Sequence, residues 1–340
     1  APSNVNQLSG HCASRKMNNP IEVAVSLSDH YGHVLDRPVV YTQGVALSGR
    51  LRLHELKPQV PDPSRAIETI VQPHISTYKT IFTANDGTAN FAGLCWADEL
   101  ARSTNKEEYL ELQLWAADRF GPTVGQGPLD PDFRVEDFFF AATMLGRAFR
   151  VSGKSAYARM LSEFLVAADT LQSNGLWWHC NASPFYWGRG NGFAALGFSE
   201  ALTYLTEDDP ERSTLLKRHI DHLQGLAGHQ DSSGMWREVI DVPDSYLEHS
   251  ATSMIGCALA RGLRLGWLDN SWQPVVERAW DGLSSRISDD GSLEHVCVGT
   301  GPLADLDSYI NRPYTDGPDD RGGAMALWFA VEMGRLETGG

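Results

Sequence analysis

Apolar positions along this chain recur at helical spacing, and turns rich in Pro, Gly, Ser and Asp interrupt them. Val45, Leu47, Leu51, Leu53 and Leu56 line one side of a helix that starts near Tyr41 and stops at Lys57-Pro58 and the P-D-P beyond. A second helix covers 64–71. The unit then repeats: 91–101 and 110–120 flank S-T-N-K-E-E-Y, 137–151 and 158–171 flank S-G-K-S-A-Y, 193–205 and 212–226 flank T-E-D-D-P, and 254–265 and 273–287 flank W-L-D-N-S. A last helix spans 324–336. Residues 1–40 show little periodicity beyond I-E-V-A-V-S-L and read as an irregular arm, which leaves 41–340 as a single domain.

The turns return about every fifty residues, as repeated helical hairpins require. Between hairpins a shorter echo occurs: N-G-L-W-W-H at Asn174, S-G-M-W-R-E at Ser233 and D-G-S-L-E-H at Asp290. Each is a turn followed by a short extended piece carrying aromatic and polar residues. Five hairpins, plus the last helix paired with the N-terminal region, make six pairs. The expected fold is therefore all-α, an (α/α)6 barrel with the echo loops gathered on one rim. An open solenoid is the alternative, but its repeats resemble one another more closely and carry capping units.

Composition changes this picture little: of 340 residues, 42% are hydrophobic, 10% aromatic and 21% charged, as in ordinary globular proteins. Charge changes it more. A net −15 argues against nucleic acid, which needs a basic face, and means that an acidic ligand must be met by a local cation. No apolar run reaches the roughly eighteen residues of a membrane span. Cys12, Cys95, Cys180, Cys257 and Cys297 are widely spaced and form neither a zinc pattern nor a dense disulfide framework. The start at Ala1-Pro2-Ser3 without Met fits a mature secreted protein or a trimmed chain, and secretion is the expectation. Nothing in the sequence specifies an oligomeric state.

The chemistry concentrates in 174–193, N-G-L-W-W-H-C-N-A-S-P-F-Y-W-G-R-G-N-G-F. Trp177, Trp178, Phe185, Tyr186, Trp187 and Phe193 stand there with His179, Arg189 and Asn191. Aromatic faces beside a few fixed polar groups suit a sugar ring, whose C–H face packs on aromatics while its hydroxyls and carboxylate take hydrogen bonds. Arg189 lies between glycines, and a planar guanidinium matches a carboxylate with two parallel hydrogen bonds. A packed aromatic cluster under a Gly-rich turn is the competing reading. His179 is a ligand contact or a satisfied core histidine. Trp236 supplies a further stacking face, Arg237, His249 and His295 are weaker candidates, and Glu248, after the second echo loop, is read as fixing neighbouring side chains rather than reacting.

Glu136-Asp137 precedes three phenylalanines. The pair is either an acidic first turn favoured by the helix dipole or a carboxyl held against an apolar wall and able to donate a proton near neutrality. Neighbouring helix positions point about 100° apart, so only one of the two can face a barrel axis. Asp86 in T-A-N-D-G-T-A-N is a helix cap or a second acid on the same rim. No Ser-His-Asp order, P-loop, dinucleotide fingerprint or metal spacing is present, so neither a metal nor a cofactor is expected.

At this point the chain resembles a family. W-G-R-G-N-G-F is similar to the W-A-R-G-N-G-W signature of the unsaturated rhamnogalacturonyl hydrolases, glycoside hydrolase family 105, related to the family 88 unsaturated glucuronyl hydrolases. G-L-W-W-H (175–179), D-S-Y-L-E-H-S-A-T-S-M-I-G-C-A-L-A-R-G (244–262), G-T-G-P-L (299–303) and D-D-R-G-G-A-M-A-L-W-F-A-V-E-M (319–333) resemble further family stretches in order and spacing. The resemblance covers roughly 41–335 and implies an (α/α)6 barrel. It also implies hydrolysis of short oligosaccharides that end in a 4,5-unsaturated uronic acid, galacturonyl or glucuronyl. An aspartic acid protonates the enol ether at C4, water adds at C5, and the hemiketal opens. The family acid sits in W-x-D-x-x-F/Y-M-A. Alignment on Ala141 puts Glu136 there and residue type picks Asp137, the residue expected to act, with Asp86 assisting. His179 and Arg189 would bind the uronate, and Trp187, Phe193, Trp177 and Trp236 would supply stacking faces. A conventional glycosidase or epimerase on a saturated sugar, or a carbohydrate-binding barrel without chemistry, is the alternative.

Overall fold

The computed structural model describes residues 18–77, 82, 86–121 and 127–339. Among them twelve helices alternate between two concentric rings. The inner ring is α2 (Tyr41–Leu56), α4 (Ala97–Thr104), α6 (Glu136–Ser152), α8 (Gly188–Tyr204), α10 (His249–Leu265) and α12 (Asp320–Thr338). The outer ring is α1 (Pro20–His30), α3 (Ser64–Ile75), α5 (Glu107–Asp118), α7 (Ser155–Ala167), α9 (Arg212–Ala227) and α11 (Gln273–Ser284). Neighbouring inner helices pack on one another except α4 and α6, which meet through Asp98 and Glu99 on Arg147 while the turns at 88–94 pack on α6; α12 closes the ring against α2, and α1 covers α12 from outside. This is the expected all-helical barrel. Helices α6, α8, α10 and α12 are buried over most of their length, as hydrophobicity on all faces of a helix requires.

The expectation fails at the N-terminal arm. Residues 20–30 form α1, whose start is fixed by Pro20 in its first turn and by the Asn19 side chain, which accepts from Glu22 N–H at 3.1 Å. Ala24 and Leu27 bury its inner face. The expected helix over 91–101 is also broken: Thr88–Phe91 is a single turn, Ala92–Leu94 is a 3-10 turn, and α4 begins only at Ala97.

The three echo loops lie where hairpins meet. Their glycines, Gly175, Gly234 and Gly291, hold φ of +82°, +89° and +82°, a backbone region that costs other residues strain. The second echo leads into β1 (Trp236–Arg237), paired antiparallel with β2 (Leu247–Glu248). The third leads into β3 (Leu293–Cys297), paired antiparallel with β4 (Tyr314–Gly317).

All six inner helices run the same way. The first residues of α2, α6, α8, α10 and α12 gather at one end of the barrel, the mouth, and their last turns at the other, the floor, where the short α4 places its first turn with Asp98 and Glu99. The floor is ionic. Arg147 donates to Asp98 at 3.0 Å and to Glu99, Arg52 donates to Glu99 at 3.0 Å, and Arg261 donates to Glu200 at 2.8 Å and Glu332 at 3.1 Å. The Arg52 guanidinium lies 4.0 Å from the Trp328 ring centre. Arg150, Arg264 and Arg335, in the last turns of α6, α10 and α12, also meet the negative ends of the helix dipoles.

Candidate active site

At the mouth, the first turn of α6 sets two carboxylates at different angles. Glu136, Phe139 or Phe140, Thr143 and Arg147 follow the three-to-four-residue spacing of one helix face. That face looks down the axis: Phe140 packs on Tyr41 and Phe193 at ring distances of 5.0 and 5.5 Å, and Phe139 on Trp328 at 5.8 Å. Glu136 therefore tops the axial stripe. Asp137 points sideways, toward the turn before α4. It is wholly buried, accepts from the Thr88 hydroxyl at 2.5 Å and Asp130 N–H at 2.7 Å, and receives Arg134 at 3.3 Å. Burial pushes the Asp137 carboxyl up, and Arg134 opposes that.

Glu136 faces His179, with both carboxylate oxygens near Nε2 at 3.0 and 3.1 Å. Burial would raise this carboxyl, but His179 and then Arg134 outweigh it, and Glu136 sits below the usual range. The other ring nitrogen of His179, Nδ1, lies 2.7 Å from the Tyr309 hydroxyl. Leu303 N–H donates to that same oxygen at 3.0 Å. The Tyr309 hydrogen is thus free to go to Nδ1, which leaves Nε2–H facing Glu136. Trp187 backs the imidazole at a ring distance of 4.5 Å.

Around this pair stand groups to which sequence reasoning assigned no role. Tyr41 tops α2 and feels Arg189, Arg321, Glu136 and Asp319, while burial pushes its hydroxyl up to about 12. Arg321 is anchored to Asp319 at 2.8 Å, and a cavity of about 580 Å³ opens beside Tyr41, Asp319 and Arg321. Tyr309 and Arg134 were equally unmarked. The first starts no periodic pattern, and the second stands where the family pattern carries tryptophan.

The family model for glycosyl hydrolase family 88 matches residues 14–337. The chain belongs to that family. Among curated relatives, the unsaturated rhamnogalacturonyl hydrolase YesR of Bacillus subtilis is 28% identical over 239 residues, 63% of this chain and 68% of YesR. An unsaturated 3S-rhamnoglycuronyl hydrolase of Alteromonas is 30% identical over 165 residues, 44% of this chain and 40% of its own length. A possible family 105 member from Salmonella enterica superposes with TM-score 0.77 at 21% identity, covering 93% of both chains. The unsaturated glucuronyl hydrolase of Bacillus sp. GL1 superposes with TM-score 0.68 at 18% identity, covering 94% of this chain and 97% of that one. These solved structures share the helical barrel.

Within this family 88 chain the signature W-G-R-G-N-G-F starts α8. Gly188 is required by close approach, since a Cβ there would meet the Arg237 carbonyl at 2.2 Å. Arg189 is 2% exposed and donates to the carbonyls of Cys297 and Val298, both at 2.7 Å, with Glu248 at 3.5 Å. Its fork holds the loop after β3. Asn191 is likewise spent, bridging the Trp177 backbone, the Trp187 carbonyl and His222. Phe193 lies in the axial stack with Tyr41. Trp177 packs in the core on Phe138 at 4.9 Å, and the Trp236 indole donates to the Leu226 carbonyl at 2.7 Å. Trp178 and Tyr186 are half-buried. Arg237 clasps its own turn through Asp231 at 2.6 Å. Asp86 is half-buried two residues before Thr88, on the Asp137 side.

Of the weaker candidates, His249 is sealed with neither ring nitrogen bonded, and His295 is half-buried on β3. Cys95, Cys180, Cys257 and Cys297 are buried free thiols, and Cys12 lies outside the described residues. Beneath Arg189, burial and then Glu248 push the Glu238 carboxyl up to about 8, and the Cys297 thiol lies 3.3 Å from it. Sequence reasoning missed Glu238 altogether, although it stands in the second echo.

Proposed function

We propose that this chain removes a terminal 4,5-unsaturated uronic acid from short oligosaccharides, with Glu136 as the acid. The supporting observation is that, of the two carboxyls at the top of α6, Glu136 lies on the axial stripe against His179 while Asp137 is sealed. The names of the curated relatives support the substrate class. Glu136, once it has taken up a proton from solvent at the mouth, gives it to C4, and the electron pair of the C4=C5 bond forms the new C–H bond, with the Nε2–H of His179 orienting the carboxyl and stabilising the carboxylate left behind. The Glu136 carboxylate then takes a proton from the water that adds at C5. The resulting hemiketal opens, breaking the bond to the leaving sugar and producing a keto acid. One carboxyl serves as acid and base in turn, so no second carboxylate at glycosidase spacing is required.

The uronate carboxylate needs a cation that still meets solvent. Arg134 beside Glu136 is 30% exposed, whereas Arg189 is spent on carbonyls. The N-terminal ends of α2, α6, α8, α10 and α12 add positive potential at the same mouth. The test is the ultraviolet absorbance of the conjugated uronate during incubation with lyase-derived galacturonyl and glucuronyl disaccharides. Loss of absorbance with release of a reducing sugar supports hydration and names the uronate. Stable absorbance on both, with a folded protein that binds them, would make this a carbohydrate-binding barrel instead.

A further inference from the structure

Tyr314 on β4 is the exposed aromatic among the described residues, at 44%. Its ring is held flat. His295 lies parallel to it at 4.0 Å and 14°, and Tyr246 meets it edge-on at 4.8 Å. The geometry is built at a cost. Leu293 pairs with Gly317 but Val296 pairs with Thr315, so β3 carries one residue more than β4 between those rungs. His295 sits in that bulge with φ +60°, a position where glycine is the usual choice. Asp316 fixes it twice, accepting from its backbone N–H at 2.8 Å and lying 2.9 Å from Nδ1. Strain of this kind persists where the surroundings hold it, and it concentrates at ligand sites. None of it serves the core, because the His295 side chain remains 38% exposed.

The pair is tied to the mouth. Two residues beyond His295, Cys297 presents its carbonyl to Arg189 and its N–H to Glu248. Arg189 in turn lies 4.7 Å from the Trp187 ring centre, behind the His179 that faces Glu136.

We propose that Tyr314 and His295 form a stacking platform for a neutral sugar ring on the leaving-group side of an oligosaccharide held in the mouth. A flat exposed aromatic face matches the C–H face of a pyranose. The carboxylates beside it, Asp316 and Glu294, have side chains 57% and 62% exposed, and in a chain of net charge −15 they disfavour a second acidic or sulfated ring there. The role rests on the hydrolase reading above.

Tyr314→Ala in the full chain is expected to raise KM for a neutral-aglycone unsaturated tetrasaccharide about fivefold to tenfold. The KM for the disaccharide and kcat for both should stay within about twofold. His295→Gly, which relaxes the backbone, should give the same KM pattern with Tm held within about 2 °C. An equal KM change on both substrates, or none on either, overturns the platform. So does a larger effect on a sulfated tetrasaccharide than on the neutral one. If the wild type cleaves neither length, the reaction assignment has failed and the platform is tested by itself. Saturation-transfer NMR with a saturated neutral tetrasaccharide should then show contact that Tyr314→Ala abolishes, and its absence in the wild type overturns the platform as well.

Discussion

The two ends of the barrel are built from the same helices and solve opposite problems. At the floor, buried charges are matched: Arg52, Arg147 and Arg261 share Glu99, Glu200 and Glu332, and burial of those carboxylates is outweighed by their arginines. At the mouth, charges are left unevenly matched. Asp137 and Glu238 are raised by burial, and Glu136 depends on the His179 imidazole and then on a partly exposed Arg134. A matched network rigidifies, while an unmatched carboxyl near a cavity can exchange protons. The parallel run of the inner helices separates the two, putting positive helix ends with the candidate acid and negative ends with the arginines.

The difference can be broken most severely at the floor. Arg147→Met leaves Asp98 buried without its cation and Glu99 and Glu200 with only Arg52 and Arg261, and about 3–5 kcal/mol of stability should be lost in chemical denaturation. The surviving folded fraction should keep its kcat. Acid should reach regions outside the floor first. Burial holds His219 and His249 down to about 3, whereas Glu332 is held down to about 2 by Arg261, Arg335 and Arg264 against its own burial. The unfolded chain takes up protons on those histidines below about pH 6.5, so their contribution is full above that pH and declines as pH falls toward 3. Each histidine costs on the order of 4 kcal/mol by the end of that range. The Glu332 contribution persists to about pH 4.5 and is lost between there and 2. Melting curves from pH 8 to 4 should therefore fall before the floor carboxylates titrate, and a flat profile down to pH 4.5 would contradict the assignment. A smaller effect is expected from Tyr309→Phe, which removes the partner of His179 Nδ1. We expect about a tenfold loss of kcat, a displaced acidic limb of the pH profile and a nearly unchanged KM.

The same contrast explains what could be read from the row of letters. Helical periodicity and recurring turns give the barrel, and the three echo glycines mark the rim loops, because those signals are local. Helix α1 escaped because I-E-V-A-V-S-L is rich in β-branched residues, although Asn19-Pro20 with Glu22 was a usable start signal. The aromatic stretch was legible as a cluster but not as a direction. Trp177 and Trp236 turn into the space between the rings, and Trp187 backs a histidine rather than facing solvent. Arg189 could not be judged locally, since the carbonyls that consume its donors lie more than a hundred residues away. For Glu136 and Asp137 the spacing to Phe139, Thr143 and Arg147 carries the difference in direction, which becomes readable once the axial face of α6 is known.

The most direct test of the division between the two ends compares Glu136→Gln with Glu200→Gln, reading turnover of an unsaturated uronyl disaccharide and thermal stability on each. The account predicts a loss of about 10²–10⁴-fold in kcat for the first with Tm nearly unchanged, and a lowered Tm for the second with kcat retained. Full activity in Glu136→Gln, with Asp137→Asn inactive though still folded, would contradict it and return the acid to Asp137.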